Sequence, residues 1–341
     1  TEIGVSIIKP LSGSEPGLEE NLRSFFEQDY SLFELIFTTK SIQDPAVAIV
    51  RRLQEEYPHV SSQLLCREEP ACLNPKIAIL LPAEKIARHD ILVLSDSDVR
   101  VCPAMLRSIT AEFEVANVGL ITCPYRAVPG DTFWSRLEAI GMKTEFLGGV
   151  ITARMMDGMR FALGALIAVR RESLDRIGGL IHLGDYLADD FRIGQAVAEC
   201  GQKVVLSHYV VEHHIGPSLL AGSFRHRLRW ARSTRRSRPL GYLGQLFTYP
   251  IPLALIAALW GHPVWAGAPL TIAGLRVLTG LVLADRVLHD SSTWWNWWLI
   301  PLQDLLSFCV YIAGFFGTTI VWRERSYRVV AGGKRFVEES S

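Results

Sequence analysis

Cysteine is sparse in this chain, and what there is has the wrong spacing for a metal module. The six thiols, Cys66, Cys72, Cys102, Cys123, Cys200 and Cys309, form no CxxC pair and no finger-like pattern. That excludes a structural zinc domain and reads as reduced packing thiols in a cytosol-facing protein. Net charge is missing as well: 35 Lys+Arg stand against 35 Asp+Glu, which argues against a nucleic-acid partner. No secretory signal opens the sequence, which enters at once into the strand-like IGVSIIKPL. Either nothing precedes this segment or a preceding segment lies outside it. Internal repeats and low-complexity linkers are also lacking, so 341 residues must be accounted for by packed domains.

Charge and apolar residues are segregated along the chain. Between Arg225 and Arg238 lie seven arginines and no acid, and a nearly uncharged apolar region follows. Before that point strand and helix patterns alternate. Val5 to Ile8, Leu35 to Thr39, Gln63 to Cys66, Ile91 to Leu94 and Gly119 to Cys123 read as strands. Glu15 to Glu27, Pro45 to Glu56, Pro75 to Ala87 and Pro103 to Glu114 read as helices, three of them opened by proline. Strands separated by helices of this length imply an α/β fold with a doubly wound, mostly parallel sheet. Further on, Phe133 to Met159 is helical, RFALGALIAVRRE returns a strand, a helix starts at Asp189 and Asp190, KVVLSHYVVEHH is a strand, and Ser223 to Ser237 is an Arg-rich helix.

The stretch DILVLSDSDVRV puts two carboxylates, Asp96 and Asp98, directly after a branched apolar run. Parallel sheets carry their ligands just beyond the carboxyl ends of the strands. An i, i+2 pair at such an exit can reach one hard cation, although Asp and Ser also form ordinary solvated turns. Lys9-Pro10 and the Asp44 region fall at corresponding strand ends. His208, His213 and His214 lack a third ligand at metal spacing and read as structural or pocket-lining.

From about Gln245 the chain suits a lipid solvent. Leu246 to Trp260, Ala266 to Leu283 and Trp294 to Trp322 are apolar, with GHPVW between the first two and WWNWW opening the third. Two or three membrane helices are expected, the first a short one interrupted by Pro250 and Pro252. The arginine flank should stay cytoplasmic, whereas three full spans would send the basic tail across. Arg276, Gln303 and Asp304 are costly in lipid and are expected to face protein or a headgroup cleft.

VSIIKPLSG, QDPA, NPKI, SDSDVRV, GGLIHLGDYLADDF and HRLRW, in this order, resemble the ceramide glucosyltransferase family of inverting nucleotide-sugar glycosyltransferases, most of all its bacterial hopanoid-biosynthesis-associated members. The resemblance covers nearly the whole chain. It implies a cytosol-facing transferase domain over 1–238, a membrane-helix region over 239–325 and a basic tail over 326–341, in a multi-pass protein of a bacterial inner membrane. The implied donor is a UDP-sugar (glucose or N-acetylglucosamine) and the implied acceptor a lipid of the bilayer, a hopanoid polyol or ceramide. Asp44 then contacts the nucleobase or ribose, and Asp96 and Asp98 form the D-x-D site, where Mg2+ or Mn2+ bridges to the pyrophosphate. Asp190 is the general base, with Asp189 at the helix start or in support. Arg229 and Trp230 match the Q/R-x-x-R-W motif, which departs from the family at His226, an acceptor-side or supporting position. Lys9, Pro10 and Lys76 lie on the donor side.

Three other readings compete. A phosphatase of the haloacid-dehalogenase type also places D-x-D after a strand, but it expects the first core strand, and at least three strand patterns precede Asp96. A lipid-binding scaffold would not need the charged positions that are filled here. A polyisoprenyl-phosphate glycosyltransferase differs only in its acceptor.

Overall fold

The computed structural model describes residues 2–67, 72–217, 219–259, 267–322, 325–329 and 336–338. The GHPVW stretch and much of the basic tail lie outside the described residues. The chain divides into two compact units: 1–125 with 157–214, and 126–156 with 215–341.

In the first unit the apolar runs of the sequence become strands β1 (Val5–Leu11), β2 (Phe33–Thr39), β3 (Ser62–Cys66), β4 (Ile91–Ser95), β5 (Val99–Arg100) and β6 (Val118–Thr122). Later come β7 (Tyr125–Val128), of which only Tyr125 falls in this unit, β8 (Leu166–Arg170), β9 (Lys203–Leu206) and β10 (Val211–His214). The helices are α1 (Leu18–Phe26), α2 (Pro45–Glu56), α3 (Pro75–Ile86) and α4 (Met105–Glu112), then, beyond the 126–156 excursion, α7 (Arg171–Arg176) and α8 (Asp189–Glu199). Seven strands form one sheet in the order β3-β2-β1-β4-β8-β6-β9. All neighbouring pairs are parallel except those that β8 makes with β4 and β6. The expected doubly wound α/β sheet is present, with one reversed strand near its middle. KVVLSHYVVEHH, expected as one strand, is two: β9 ends the large sheet, and β10 pairs antiparallel with β5. The break separates the sheet edge from the site described below.

Local chemistry explains the starts of the helices. Asp44 caps α2 and Asn74 caps α3, each followed by proline at the first helical position, where a missing N–H costs nothing. Pro10 lies within β1, one residue past Lys9, where β1 still pairs with β2 but has outrun its pairing with β4. Its missing donor therefore interrupts no bond on that side. Gly194 lets α8 approach the backbone closely: a Cβ there would sit 2.4 Å from the Ala162 nitrogen.

The second unit is helical. It contains α5 (Phe133–Gly141), a π-helical turn (Met142–Phe146), α6 (Leu147–Asp157), α9 (Leu220–Ser237), α10 (Pro239–Gly244), a 3-10 turn (Gln245–Thr248) and α11 (Pro250–Ala258). These are followed by α12 (Ala268–Leu288), α13 (Ser292–Trp295), α14 (Leu299–Gly314) and the antiparallel strands β11 (Thr319–Trp322), β12 (Arg325–Val329) and β13 (Phe336–Glu338). Among the described residues, α12 alone is long and apolar enough to cross a bilayer as one straight helix. The first apolar stretch is broken: 239–248 and 250–258 meet at 64°, at the Tyr249-Pro250 junction, where proline starts a new helix. The third is no continuous span to Trp322. Its helix stops at Gly314, Gly317 turns at φ 78°, and the β-branched run after it pairs as a strand.

Several polar side chains inside this unit are paired. Arg276 holds Asp304 through Nε at 3.0 and 3.2 Å, and Lys143 holds Asp290 at 2.8 Å. Arg227 donates to Ser307 Oγ at 2.5 Å and to Gln303 Oε1 at 3.3 Å, and Ser307 donates to Glu145. Arg276, Gln303 and Asp304 thus face protein, one of the two settings expected for them.

Candidate active site

β1 and β4 run side by side at the centre of the large sheet, and their carboxyl ends deliver Lys9 and the Ser95-Asp96 step to the same place. Lys9 is fully buried. Its ammonium donates to the Asp96 carbonyl at 2.8 Å and to Ser95 Oγ at 3.3 Å, and lies 3.6 Å from the Phe25 ring centroid. Burial pulls its pKa down to about 7, against the Asp98 and Asp96 charges that hold it up.

Helix α3 brings Lys76 to the same edge. Its Nζ stands 2.6 Å from Asp96 Oδ1 and 3.9 Å from Asp189 Oδ2. Burial alone would lower the Lys76 pKa, but Asp96 and then Asp189 outweigh it and hold the group above its ordinary value. Asp96 is raised by burial, with Lys76 opposing and Asp98 adding to the rise. Asp98 resists burial because His213 Nε2 lies 3.1 Å from its Oδ2, and its pKa is lowered. The backbone makes this pairing possible: β5, directly after Asp98, pairs with β10 so that His213 opposes Val99, and the His214 N–H donates to the Asp98 carbonyl at 2.8 Å.

Asp189 and Asp190 open α8, where the helix dipole favours acids. Asp190 Oδ1 accepts the Phe191 N–H at 2.7 Å, and its other oxygen faces Gly164, where a Cβ would lie 3.0 Å away. Burial first, then the Asp189 charge, push Asp190 up to about 6.

Lys9, Asp96, Lys76 and Asp189 are therefore linked by direct contacts, and the charges of Asp98 and Asp190 couple to them, all within the first unit. Asp44 caps α2 through the Ala46 N–H at 2.9 Å and also takes the Gly13 N–H at 3.1 and 3.0 Å, fixing the loop after β1. His226, Arg229 and Trp230 belong to the second unit, on α9. There His226 Nδ1 meets Glu138 Oε1 at 2.9 Å, and the His226 ring lies 4.6 Å from Trp230 between centroids. Two residues with no distinct role in the sequence reading join the site: His213, among the histidines read as structural or pocket-lining, and Asn74, seen only inside NPKI. The pattern of N before P could have flagged Asn74 as a cap, whereas His213 depends on a pairing of two short strands more than a hundred residues apart.

The donor set can be tested against a divalent cation. Among the described residues no three His, Cys, Asp or Glu side chains form a metal cage. Asp98 Oδ1 is nevertheless buried without a hydrogen-bond partner there, and one Asp96 oxygen is occupied by Lys76. That arrangement fits a cation completed by oxygens of a bound phosphate ligand better than a closed protein site.

The model of glycosyl transferase family 21 matches residues 1–335. Ceramide glucosyltransferase 1 of Caenorhabditis elegans is 26% identical over 97% of this chain and 72% of its own length; ceramide glucosyltransferase 3 of the same organism is 28% identical over 97% and 74%. Among solved structures, a mannosyltransferase from Pyrobaculum calidifontis in complex with GDP-Man and Mn2+ shares the fold, with a TM-score of 0.58 and 20% identity over 93% of this chain and 88% of its own.

Proposed function

This chain belongs to glycosyl transferase family 21 and is a nucleotide-sugar-dependent glycosyltransferase, and from that premise we propose that it moves a hexose from a UDP-sugar to the hydroxyl of a membrane lipid with inversion. The observation that carries the proposal is Lys76, a half-buried cation set between the strand-end carboxylate Asp96 and the helix-start carboxylates Asp189 and Asp190. It joins a place suited to a diphosphate to a place suited to a base.

Asp190 takes the proton. Raised to about 6, it is ionised at neutral pH yet more basic than an ordinary carboxylate. As the acceptor oxygen bonds to the anomeric carbon, the bond from that carbon to the phosphate oxygen breaks, UDP departs and the hydroxyl proton passes to Asp190. Lys76 and Lys9 offset negative charge near the departing diphosphate, and Arg229 contributes a guanidinium suited to phosphate. Asp98, with Asp96 beside it, would hold a divalent cation, which when bound supplies further charge stabilisation to the leaving group. Asp44 serves the nucleoside side, Pro10 shapes the strand end next to Lys9, Trp230 counts with Arg229 among the donor-binding residues, and His226 belongs to the acceptor side or supports it.

The names of the two relatives support a ceramide-like acceptor, and a hopanoid polyol remains within the proposal. The second unit supports a bilayer location. Leu240, Phe247, Leu259, Leu270 and Trp295 are each at least 80% exposed, an apolar surface that water does not favour. The arginine run of α9 supports a cytoplasmic side for that flank. Incubation of the whole chain in detergent or nanodiscs with UDP-glucose and UDP-N-acetylglucosamine, against ceramide, a hopanoid polyol and a polyisoprenyl phosphate, tests the proposal by product mass. A hexosyl lipid of the first two classes supports it. A product only on the phosphate acceptor, or phosphate release from simple phosphoesters alone, contradicts it.

A further inference from the structure

Asn74 has no part in the chemistry above, yet it is completely buried and all of its amide is used. Its Oδ1 accepts the Lys76 N–H at 2.9 Å and the Ile77 N–H at 3.3 Å, the ordinary work of a helix cap. Its Nδ2 donates to the Tyr186 carbonyl at 2.8 Å and to Asp189 Oδ1 at 3.3 Å, partners 112 and 115 residues away. The backbone adds a third tie, from the Asn74 N–H to the Gly184 carbonyl at 2.8 Å. Two donors on one side and two acceptors on the other fix which way the amide lies.

A cap needs only an oxygen, and serine, threonine or aspartate would provide it. The two extra donors require the amide. They run to the approach to α8 and to its first residue. Each joined helix end carries charged groups of the site: Lys76 is the second residue of α3, and Asp189 and Asp190 are the first two of α8. We propose that Asn74 is a positioning residue that clasps the start of α3 to the start of α8 and so holds the Asp190 carboxylate in register with the Lys76–Asp96 pair. The proposal rests on the assignment of Asp190 as the base. Asp190 itself faces Asp189 and Asp96, which raise its pKa, and Lys76 and the Phe191 N–H, which lower it. A change at Asn74 reaches it through Asp189.

Two substitutions keep the cap and break the clasp. Asn74→Ser retains a capping oxygen but loses both donors; turnover should fall about 10²-fold, the usual cost of misplacing a reacting group by an ångström. Donor affinity should stay near that of the unmodified chain, while the melting temperature falls modestly because the Tyr186 carbonyl loses its donor. Asn74→Asp retains the cap and sets a carboxylate against Asp189, so the acid limb of the turnover–pH profile should move upward by about one unit. If both variants keep full turnover and an unmoved acid limb, the clasp is overturned. A loss of turnover matched by an equal loss of donor affinity also overturns it, because that marks a general disturbance of the site and not a misplaced carboxylate. Asp190→Asn assayed alongside separates the two claims. If it retains full transfer, the base assignment fails and the clasp with it; if it is inactive while Asn74→Ser is not, the base stands and the clasp alone falls.

Discussion

Lys76 Nζ sits 2.6 Å from Asp96 Oδ1, so the first aspartate of the SDSD turn is half of an ion pair. The same ammonium reaches toward Asp189 at 3.9 Å and lowers the pKa of Asp190. A transfer that needs Asp190 ionised loses rate as pH falls through about 6. Removing the Lys76 charge raises that pKa, so in Lys76→Met the acid limb should lie at higher pH than in the unmodified chain. A turnover–pH profile of the two proteins checks the direction; an acid limb that stays or moves down contradicts it.

His213 orients Asp98 from 3.1 Å. Partners behind a ligand commonly tune metal affinity by 10- to 100-fold. In His213→Ala the Mn2+ concentration for half-maximal donor binding should therefore rise by about that factor, with a smaller effect on saturated turnover. Calorimetry of Mn2+ binding in the presence of UDP measures it, and an unchanged metal affinity would separate His213 from the Asp98 site.

Much of this site could be read from the sequence because local signals place its pieces. The apolar run Ile91 to Leu94 marks a central strand, and the prolines at 45 and 75 mark helix starts, so the register of Asp96, Asp98, Asp44 and Lys76 follows from short stretches. What was not legible depends on distant pairing. β5 is two residues long and meets β10 more than a hundred positions later, which no periodicity announces. The reversed strand β8 reads like its parallel neighbours, because burial on both faces gives every strand the same apolar run. In the last apolar stretch composition misled: Trp294 to Trp322 is oily enough for one span, but the Gly317 turn and the Thr319–Trp322 pairing decide its end.

The Arg276–Asp304 pair is nearly sealed from solvent, with 9% and 0% of the two side chains exposed. Removing one partner of a buried pair leaves an uncompensated charge and costs about 3–5 kcal/mol, whereas replacing both with apolar groups can be neutral. Arg276→Met should lower the melting temperature in detergent markedly, and Arg276→Met with Asp304→Leu should recover most of the loss. Equal losses in the single and double variants would show that the pair contributes more than mutual compensation.

The exposed apolar surface of the second unit should be what holds the protein to lipid. Phe247→Ser, Leu259→Ser and Leu270→Ser combined remove three large side chains, each at least 80% exposed. Co-flotation with liposomes should fall while the first unit's nucleotide binding remains. Undiminished flotation would mean that other parts of the chain provide the attachment.

The measurement closest to the centre of the account compares two adjacent carboxylates in one assay. Asp190→Asn keeps the shape and removes the proton acceptor, so transfer should drop by about 10²- to 10⁴-fold while UDP-sugar affinity changes little. Asp189→Asn, which touches Lys76 and Asn74, should lose much less. Abolished transfer in Asp189→Asn with activity kept in Asp190→Asn would put the base one residue earlier, and full activity in both would contradict the mechanism.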